Sequence, residues 1–381
     1  MAFNSKTILE QRKELVMLAI QPGANLSKLC RRFGVSRRIC YKWINRYREH
    51  GEDGLKDQSK RPVSSPGQTA KSTEAKIVRL RKQNPEWGAR KLRVLLEKEH
   101  EKKIPSHSTI TNILHRNDLI SIENSQRHIP VQRFEYQSPN ELWQMDFKGY
   151  FKLIDNSICY PLTIIDDHSR FNLCLQACDN QLSLTVRQKL TAIFRRYGLP
   201  EMILTDNGSP WGSAGNERSP GEAAFTALEI WLMRINIKVI HGRPYHPQTQ
   251  GKDERFHRTL KTELLQYEQF HNFTHCQRRF DQWRIKYNQY RPHEAIGFKT
   301  PSQLYTQSTR SYPEKLPSIQ YLSTDHVRKV QDKGTISFQN QLLKIGRGLV
   351  GEYIAIRATA VENVWEVYFC NQLIKNIIVN K

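Results

Sequence analysis

Along the first 120 residues the apolar positions recur every three to four residues, the period of helices with one buried face. Ile8, Leu15, Leu18 and Ala19 predict a first helix. Leu26, Leu29, Cys30 and Phe33 predict a second, ended by Gly34, and Ser36 is placed to cap a third that buries Cys40, Trp43, Ile44 and Tyr47. After a polar stretch the pattern returns: Ile77 and Leu80, then Leu92, Leu95 and Leu96, then Ile110, Ile113 and Leu114. Ser108 follows Pro105 as a cap for the last of these, and Trp87 belongs to their core. From about residue 140 the texture changes to strand-like runs at 142–152, 158–165 and 171–177, separated by Asp155-Asn156 and Asp167-His168-Ser169. A helix then buries Val186, Leu190, Ile193, Phe194 and Tyr197 and stops at Gly198 and Pro200. A strand at Met202–Thr205, a helix at 225–235, a strand at Lys238–His241, a long helix from Lys252 and a helical segment at 276–290 follow. Beyond Thr306 only short strands around glycines are predicted, at Thr335–Phe338, 341–345, 352–358, Val364–Phe369 and 373–379.

This order of elements divides the chain. Residues 1–56 and 71–120 each read as a helix-turn-helix unit, in which the small Cys30, four residues before the turn glycine, lets two helices cross closely. The third helix of the first unit, the second of the helix-turn-helix pair, is the one that enters a major groove, and its outer face carries Arg37, Arg38, Tyr41, Lys42 and Asn45 for phosphate and base-edge contacts. Residues 57–70, with Lys60 and Arg61, form a linker: either a solvated tether or a basic strand crossing the minor groove between two reading heads. Residues 121–139 are a second linker. Residues 140–305 predict a mixed five-stranded sheet with helices on both faces, and residues 306–381 a small β-barrel.

Charge sharpens the division. The formal net charge is +22, and residues 1–140 hold 28 basic and 14 acidic residues, net +14, against +4 for 141–300 and +4 for 301–381. The N-terminal third is the polyanion-facing part, while the middle keeps its carboxylates. Seven scattered cysteines without a CxxC frame fit a reducing cytoplasm and argue against a disulfide scaffold or zinc finger. No run approaches a membrane span, and the N-terminus has no hydrophobic signal core.

Three of those carboxylates stand out by context. Asp146 lies in the otherwise apolar run Trp143-Gln144-Met145-Asp146-Phe147; Asp206 ends a strand and precedes Asn207-Gly208; Glu254 opens a helix after His246-Pro247-Gln248-Thr249-Gln250-Gly251. A carboxylate in a central strand is costly unless it is paired or binds a cation. Acidic oxygen ligands without an organised His or Cys set select Mg²⁺, with Mn²⁺ as substitute. Two such ions would clamp the attacking and leaving oxygens of an in-line phosphoryl displacement, with Asp146 as the bridging ligand. Asp166-Asp167 is a competing acidic pair, but adjacent strand residues face opposite ways, and capping of the turn beside Arg170 is the simpler reading. His241, His246 and His257 read as DNA or structural contacts rather than ligands, Trp231 as core, and Trp211 as a platform for a distorted base.

Asp146, Asp206-Asn207-Gly208 and the segment from His246 to Glu254 resemble the core of the DDE transposases and retroviral integrases. Within that superfamily the chain is similar to bacterial insertion-sequence transposases with an integrase-type, ribonuclease-H-like core. Lys261, seven residues after Glu254, matches a basic residue that the family places on the same helix face for DNA phosphate, and Pro292-His293 and Thr300-Pro301 fit the pattern too. The resemblance spans nearly the whole chain. It implies binding of terminal inverted repeats, magnesium-dependent hydrolysis and strand transfer by Asp146, Asp206 and Glu254, and a dimer or larger assembly on double-stranded DNA in the bacterial cytoplasm, at the nucleoid. The interval of 48 residues from Asp206 to Glu254 exceeds that of retroviral integrases, and the segment 208–221 accounts for the excess as a loop beside the site. A transposase-derived regulator and a stand-alone ribonuclease-H-type nuclease are the rival readings; the intact carboxylates oppose the first and the N-terminal reading heads the second.

Overall fold

A computed structural model describes residues 6–59, 67–99, 103–120, 135–206, 208–211, 225–241 and 251–379. The chain divides into two units, Met1–Gln68 and Thr69–Lys381.

The first unit contains α1 (Ile8–Ala19), α2 (Leu26–Arg32) and α3 (Arg37–His50), followed by a 3₁₀ turn at Gly51–Leu55. Each helix begins on a side-chain cap: Thr7 and Glu10 form a reciprocal capping box, Asn25 accepts from the Lys28 amide, and Ser36 accepts from the Ile39 amide. Gly34, at φ +63°, makes the turn between α2 and α3. Leu15, Val16, Cys30, Cys40, Trp43, Ile44 and Leu55 form the core. The two cysteines meet at the helix crossing, where burial and the neighbouring Cys30 push the Cys40 thiol up to about 11. Ile8, expected on the inner face, is exposed; Leu15 and Val16 carry α1's contact instead.

The second unit opens with α4 (Lys71–Gln83), α5 (Ala89–Lys98) and α6 (His107–Arg116), packed around Ile77, Leu80, Trp87, Leu92, Leu96, Ile110 and Leu114. The cap of α6 is Ser106, not Ser108. The central sheet follows: β1 (Leu142–Phe147), β2 (Phe151–Lys152), β3 (Ile158–Asp166), β4 (Asn172–Cys178), β5 (Met202–Thr205) and β6 (Lys238–His241). β1 lies between antiparallel β3 and parallel β5; β4 flanks β3, β6 flanks β5, and two-residue β2 pairs with the start of β3. The run expected at 142–152 is therefore two strands, broken where Gly149 takes φ +74°.

Alternation along β1 sorts its side chains. Trp143, Met145 and Phe147 join the core formed with α7 (Ser183–Tyr197) and α8 (Ala227–Arg234). Gln144 and Asp146 take the other face, towards α9 (Gly251–Leu260) and α10 (Phe273–Ile285), whose Phe256, Leu260, Phe280 and Trp283 form a second core with Ile165 and Leu175. Both helices continue as π-helical turns, Lys261–Leu265 and Lys286–Tyr290. Trp211 stacks on Phe147 with ring centroids 5.5 Å apart and is buried, so it is a core residue rather than a base platform.

The free edge of β4 is occupied by side chains. Gln277 donates to the Leu175 carbonyl and accepts from the Ala177 amide, Arg284 donates to the Leu173 carbonyl, and Asn288 exchanges bonds of 2.8 and 2.9 Å with the backbone of Asn172.

The C-terminal part contains β7 (His326–Lys329), β8 (Thr335–Phe338), β9 (Gln341–Lys344), β10 (Tyr353–Ala358), β11 (Val364–Phe369) and β12 (Gln372–Ile378). They form an open four-stranded sheet, β12-β11-β10-β7, and a separate β8-β9 hairpin; among the described residues no sheet closes. The expected barrel is thus corrected. Its closure is not needed to cover the apolar face, because Met233 of α8 enters the same core as Ile336, Ile354, Ile356, Val367 and Phe369. Strand β7 escaped the sequence reading because all four of its residues are exposed and show no apolar alternation.

Candidate active site

Strand pairing brings the first two carboxylates together. β1 and β5 run in parallel register, with Leu142 level with Met202 and Gln144 with Leu204, so the same register carried forward sets 146 beside 206 on neighbouring strands. Asp146 Oδ1 accepts a 2.7 Å bond from the Phe147 amide. Burial pushes the Asp146 carboxyl up to about 7; the Phe147 amide and Lys148 oppose that rise, while the negative charges of Asp206 and Glu254 add to it. Asp206 Oδ1 accepts from the Gly208 amide at 3.0 Å. Its carbonyl oxygen lies 2.9 Å from His241 Nδ1, whose Nε2 lies 2.7 Å from Glu229 Oε1. Glu229 is buried on α8, so His241 joins that helix to the end of β5.

Glu254 is exposed in the first turn of α9, and Lys261 is exposed where the π-turn begins. Asp253 and His257, one helical turn apart, point inward instead. Asp253 is 2% exposed, and its Oδ1 lies 3.3 Å from Thr163 Oγ1, which in turn lies 2.8 Å from His257 Nε2. Thr163 is the residue opposite Asp146 in the β1–β3 ladder. Ligand atoms of Asp146, Asp253 and His257 lie within 4.8 Å of one another. Burial, with Asp146 nearby, raises the Asp253 carboxyl well above its ordinary range, and burial with Lys148 nearby lowers the His257 imidazole to about 3. Asp253 was not singled out from the sequence; the available signal was its i,i+4 spacing to His257, which puts both on one helix face.

Asp166 and Asp167 divide their work differently from the expectation. Asp166 holds the turn, accepting from the Ser169 amide at 2.8 Å and the Asn140 amide at 2.7 Å, while Arg170 pairs with Glu135. Asp167 does not cap the turn: it accepts from Gln144 Nε2 at 2.8 Å and pairs with Lys252 of α9.

In the first unit Arg37, Arg38, Tyr41, Lys42 and Asn45 all lie exposed along α3, with Arg37 bonded to Ser27 Oγ and Lys42 Nζ 4.8 Å above the Trp43 ring. Lys60, Arg61, Asn207, His246 and most of the loop after Asp206 fall outside the described residues. The second helical domain meets the core through Trp87, whose Nε1 donates to Glu263 Oε1 at 3.1 Å; Arg291 Nε donates to the same oxygen at 2.8 Å.

Family comparisons agree with this arrangement. Residues 11–62 match a helix-turn-helix domain and 39–114 a homeodomain-like domain; residues 137–247 and 235–301 match integrase core domains. Together these define a DNA-binding protein with an integrase core. Residues 325–378 match the C-terminal domain of IS481 family transposases, and the chain is similar to insertion-sequence transposases that carry an integrase-type core. It is 28% identical over 310 residues to a 39.2 kDa protein of insertion element IS476 from Xanthomonas euvesicatoria, covering 78% of each chain. It is 23% identical over 295 residues to a 31.7 kDa protein of insertion element IS407 from Burkholderia multivorans, covering 75% of this chain and 93% of that one. A 129-residue stretch is 34% identical to the Gag-Pro-Pol polyprotein of Mason-Pfizer monkey virus, covering 33% of this chain and 6% of the polyprotein. Among solved structures, the catalytic core of HTLV-2 integrase in complex with magnesium aligns at a TM-score of 0.33 and 18% identity, covering 44% of this chain and 98% of that one. Among the described residues no helix is long and apolar enough to cross a membrane.

Proposed function

We propose that this protein binds the terminal inverted repeats of its own insertion sequence and joins the ends to target DNA, with Asp146, Asp206 and Glu254 as the reacting centre. The observation that carries the reading is geometric: the parallel register of β1 and β5 sets Asp146 beside Asp206, where burial raises the Asp146 carboxyl and the charges of Asp206 and Glu254 add to that rise. Carboxylates near a partly buried strand position repel one another unless a cation joins them. Asp253 Oδ2, buried without a hydrogen-bond partner, adds to the unmet demand for positive charge. The donor set of oxygens fits Mg²⁺, with Mn²⁺ as substitute. Asp146, Asp206 and Glu254 would hold two such ions, which when bound supply charge stabilisation to the attacking and leaving oxygens of a phosphodiester.

The chain's own residues do the rest. Residues 1–56 and 71–120 read the ends through α3 and the second helical domain; 140–305 form the catalytic core; 57–70 and 121–139 connect them; and 306–381 form a β-rich domain. Lys261 Nζ sits beside a phosphate and holds the scissile strand against the carboxylates. In the first step a water oxygen bonds to phosphorus as the P–O3′ bond breaks, freeing a 3′-hydroxyl. In the second that hydroxyl loses its proton, its oxygen bonds to a target phosphorus, and the target's own 3′-oxygen leaves. Two ends are joined in one event, so the working form is a homodimer or larger assembly on DNA, acting at the nucleoid in the bacterial cytoplasm.

The test is a strand-transfer assay with oligonucleotides from the element's ends in Mg²⁺. Joined products that require the end sequence support the reading. Binding without cleavage makes the protein a regulator, and cleavage indifferent to end sequence makes it a nuclease.

A further inference from the structure

We infer that the buried pair Asp167–Lys252, with Gln144 between strand and helix, is the device that positions Glu254, an inference resting on the active-site reading above. Lys252 is in the first turn of α9, where a cation opposes the helix dipole, so its place there calls for a local partner. That partner is Asp167, just past the end of β3, whose side chain is 3% exposed against 15% for Lys252. Asp167 is itself held from three sides. Its amide donates to the Leu142 carbonyl at 2.9 Å, its Oδ2 accepts from the Tyr136 amide at 3.1 Å, and its Oδ1 accepts from Gln144 Nε2 at 2.8 Å.

Gln144 completes the path. It lies two residues before Asp146 on the same face of β1, and its Oε1 accepts from the Asp253 amide at 3.3 Å. One chain of bonds therefore runs from the strand bearing Asp146 to the residue before Glu254. A buried ion pair recovers little net stability after desolvation; what it supplies is a fixed geometry. Here the geometry fixed is the rotation and height of the first turn of α9, and so the place of the exposed Glu254 carboxylate beside the buried Asp253. Asp167 and Lys252 are positioning residues, acting through the backbone of α9.

Binding of Mn²⁺ to the full chain, followed by loss of the free-ion electron paramagnetic resonance signal, tests this without requiring turnover. Lys252→Met is expected to weaken Mn²⁺ binding by roughly 10–100-fold, the usual effect of losing a supporting residue. Lys252→Arg keeps the cation and is expected to recover most of that loss, which a residue needed only for packing would not show. If Lys252→Met fails to fold, Asp167→Asn gives a second reading, since it keeps the Gln144 contact while losing the charge and the bond from the Tyr136 amide. Wild-type Mn²⁺ affinity in a folded Lys252→Met or Asp167→Asn variant overturns the inference, as does an arginine variant no better than methionine. Glu254→Gln is the control: if it binds Mn²⁺ as tightly as wild type, the active-site reading fails. If it binds weakly while Lys252→Met binds normally, only the positioning inference fails.

Discussion

Asp146→Asn should stabilise the metal-free protein. Burial, aided by Asp206 and Glu254, carries this carboxyl from an ordinary 3.8 to about 7. At about 1.36 kcal/mol for each tenfold change in proton affinity, that displacement corresponds to about 4 kcal/mol. The side chain is still 28% exposed, and solvent screening brings the expected effect nearer to about 2 kcal/mol. The sign follows from proton counting. Between 3.8 and about 7 the folded protein holds a proton that the unfolded chain has released, so stability falls as pH rises through that window. Above it the wild type carries the full cost of an ionised, crowded carboxylate, and asparagine carries none. The amide can still accept from the Phe147 N–H, so the local geometry survives. Thermal unfolding with a chelator at pH 8 should show the core transition of the asparagine variant raised by about 4–8 °C. At pH 5 the gap should shrink to less than half. Adding Mg²⁺ should raise the wild-type transition and leave the variant's unchanged. A variant less stable than wild type at pH 8, or a gap independent of pH, would refute the electrostatic account.

Other perturbations read other parts of the molecule. Glu263→Ala strips the partner from Arg291 and from the Trp87 indole at a position 8% exposed, and should cost about 3–5 kcal/mol in urea unfolding; a loss under about 1 kcal/mol would mean the second helical domain is not fixed there. Glu229→Gln leaves His241 without its acid partner and should slow end cleavage by roughly 10–100-fold while end binding stays unchanged; equal rates would show that the end of β5 needs no such support. Arg38→Ala should flatten the slope of log affinity against log salt for end DNA by about 0.9, and an unaltered slope would place Arg38 away from phosphate.

The parts of the fold that were legible in the sequence share a cause. Met202–Thr205, Lys238–His241, Thr335–Phe338 and Val364–Phe369 emerge with the expected bounds because apolar runs are closed off by turn residues. Asp146 was visible as a charge in an apolar strand, and Ser36 as a cap before a periodic run. What stayed hidden depends on pairing across long sequence separations. The open C-terminal sheet is covered by Met233, about a hundred residues upstream, and no local pattern announces that contact. Asp167 looked like a turn residue because its partners, Gln144 and Lys252, belong to a different strand and a distant helix. Asp253 was overshadowed by Glu254, although the helix turns the two about 100° apart and buries only the first.

The side chains along β4 set a limit on how small a working core can be. Gln277, Arg284 and Asn288 satisfy backbone groups that a further strand would otherwise seek. A fragment ending before α10 would bare that edge to any extended peptide and would be prone to self-association into fibrous aggregates. The shortest core that keeps this edge covered therefore extends through Asn288, well past Glu254 and Lys261.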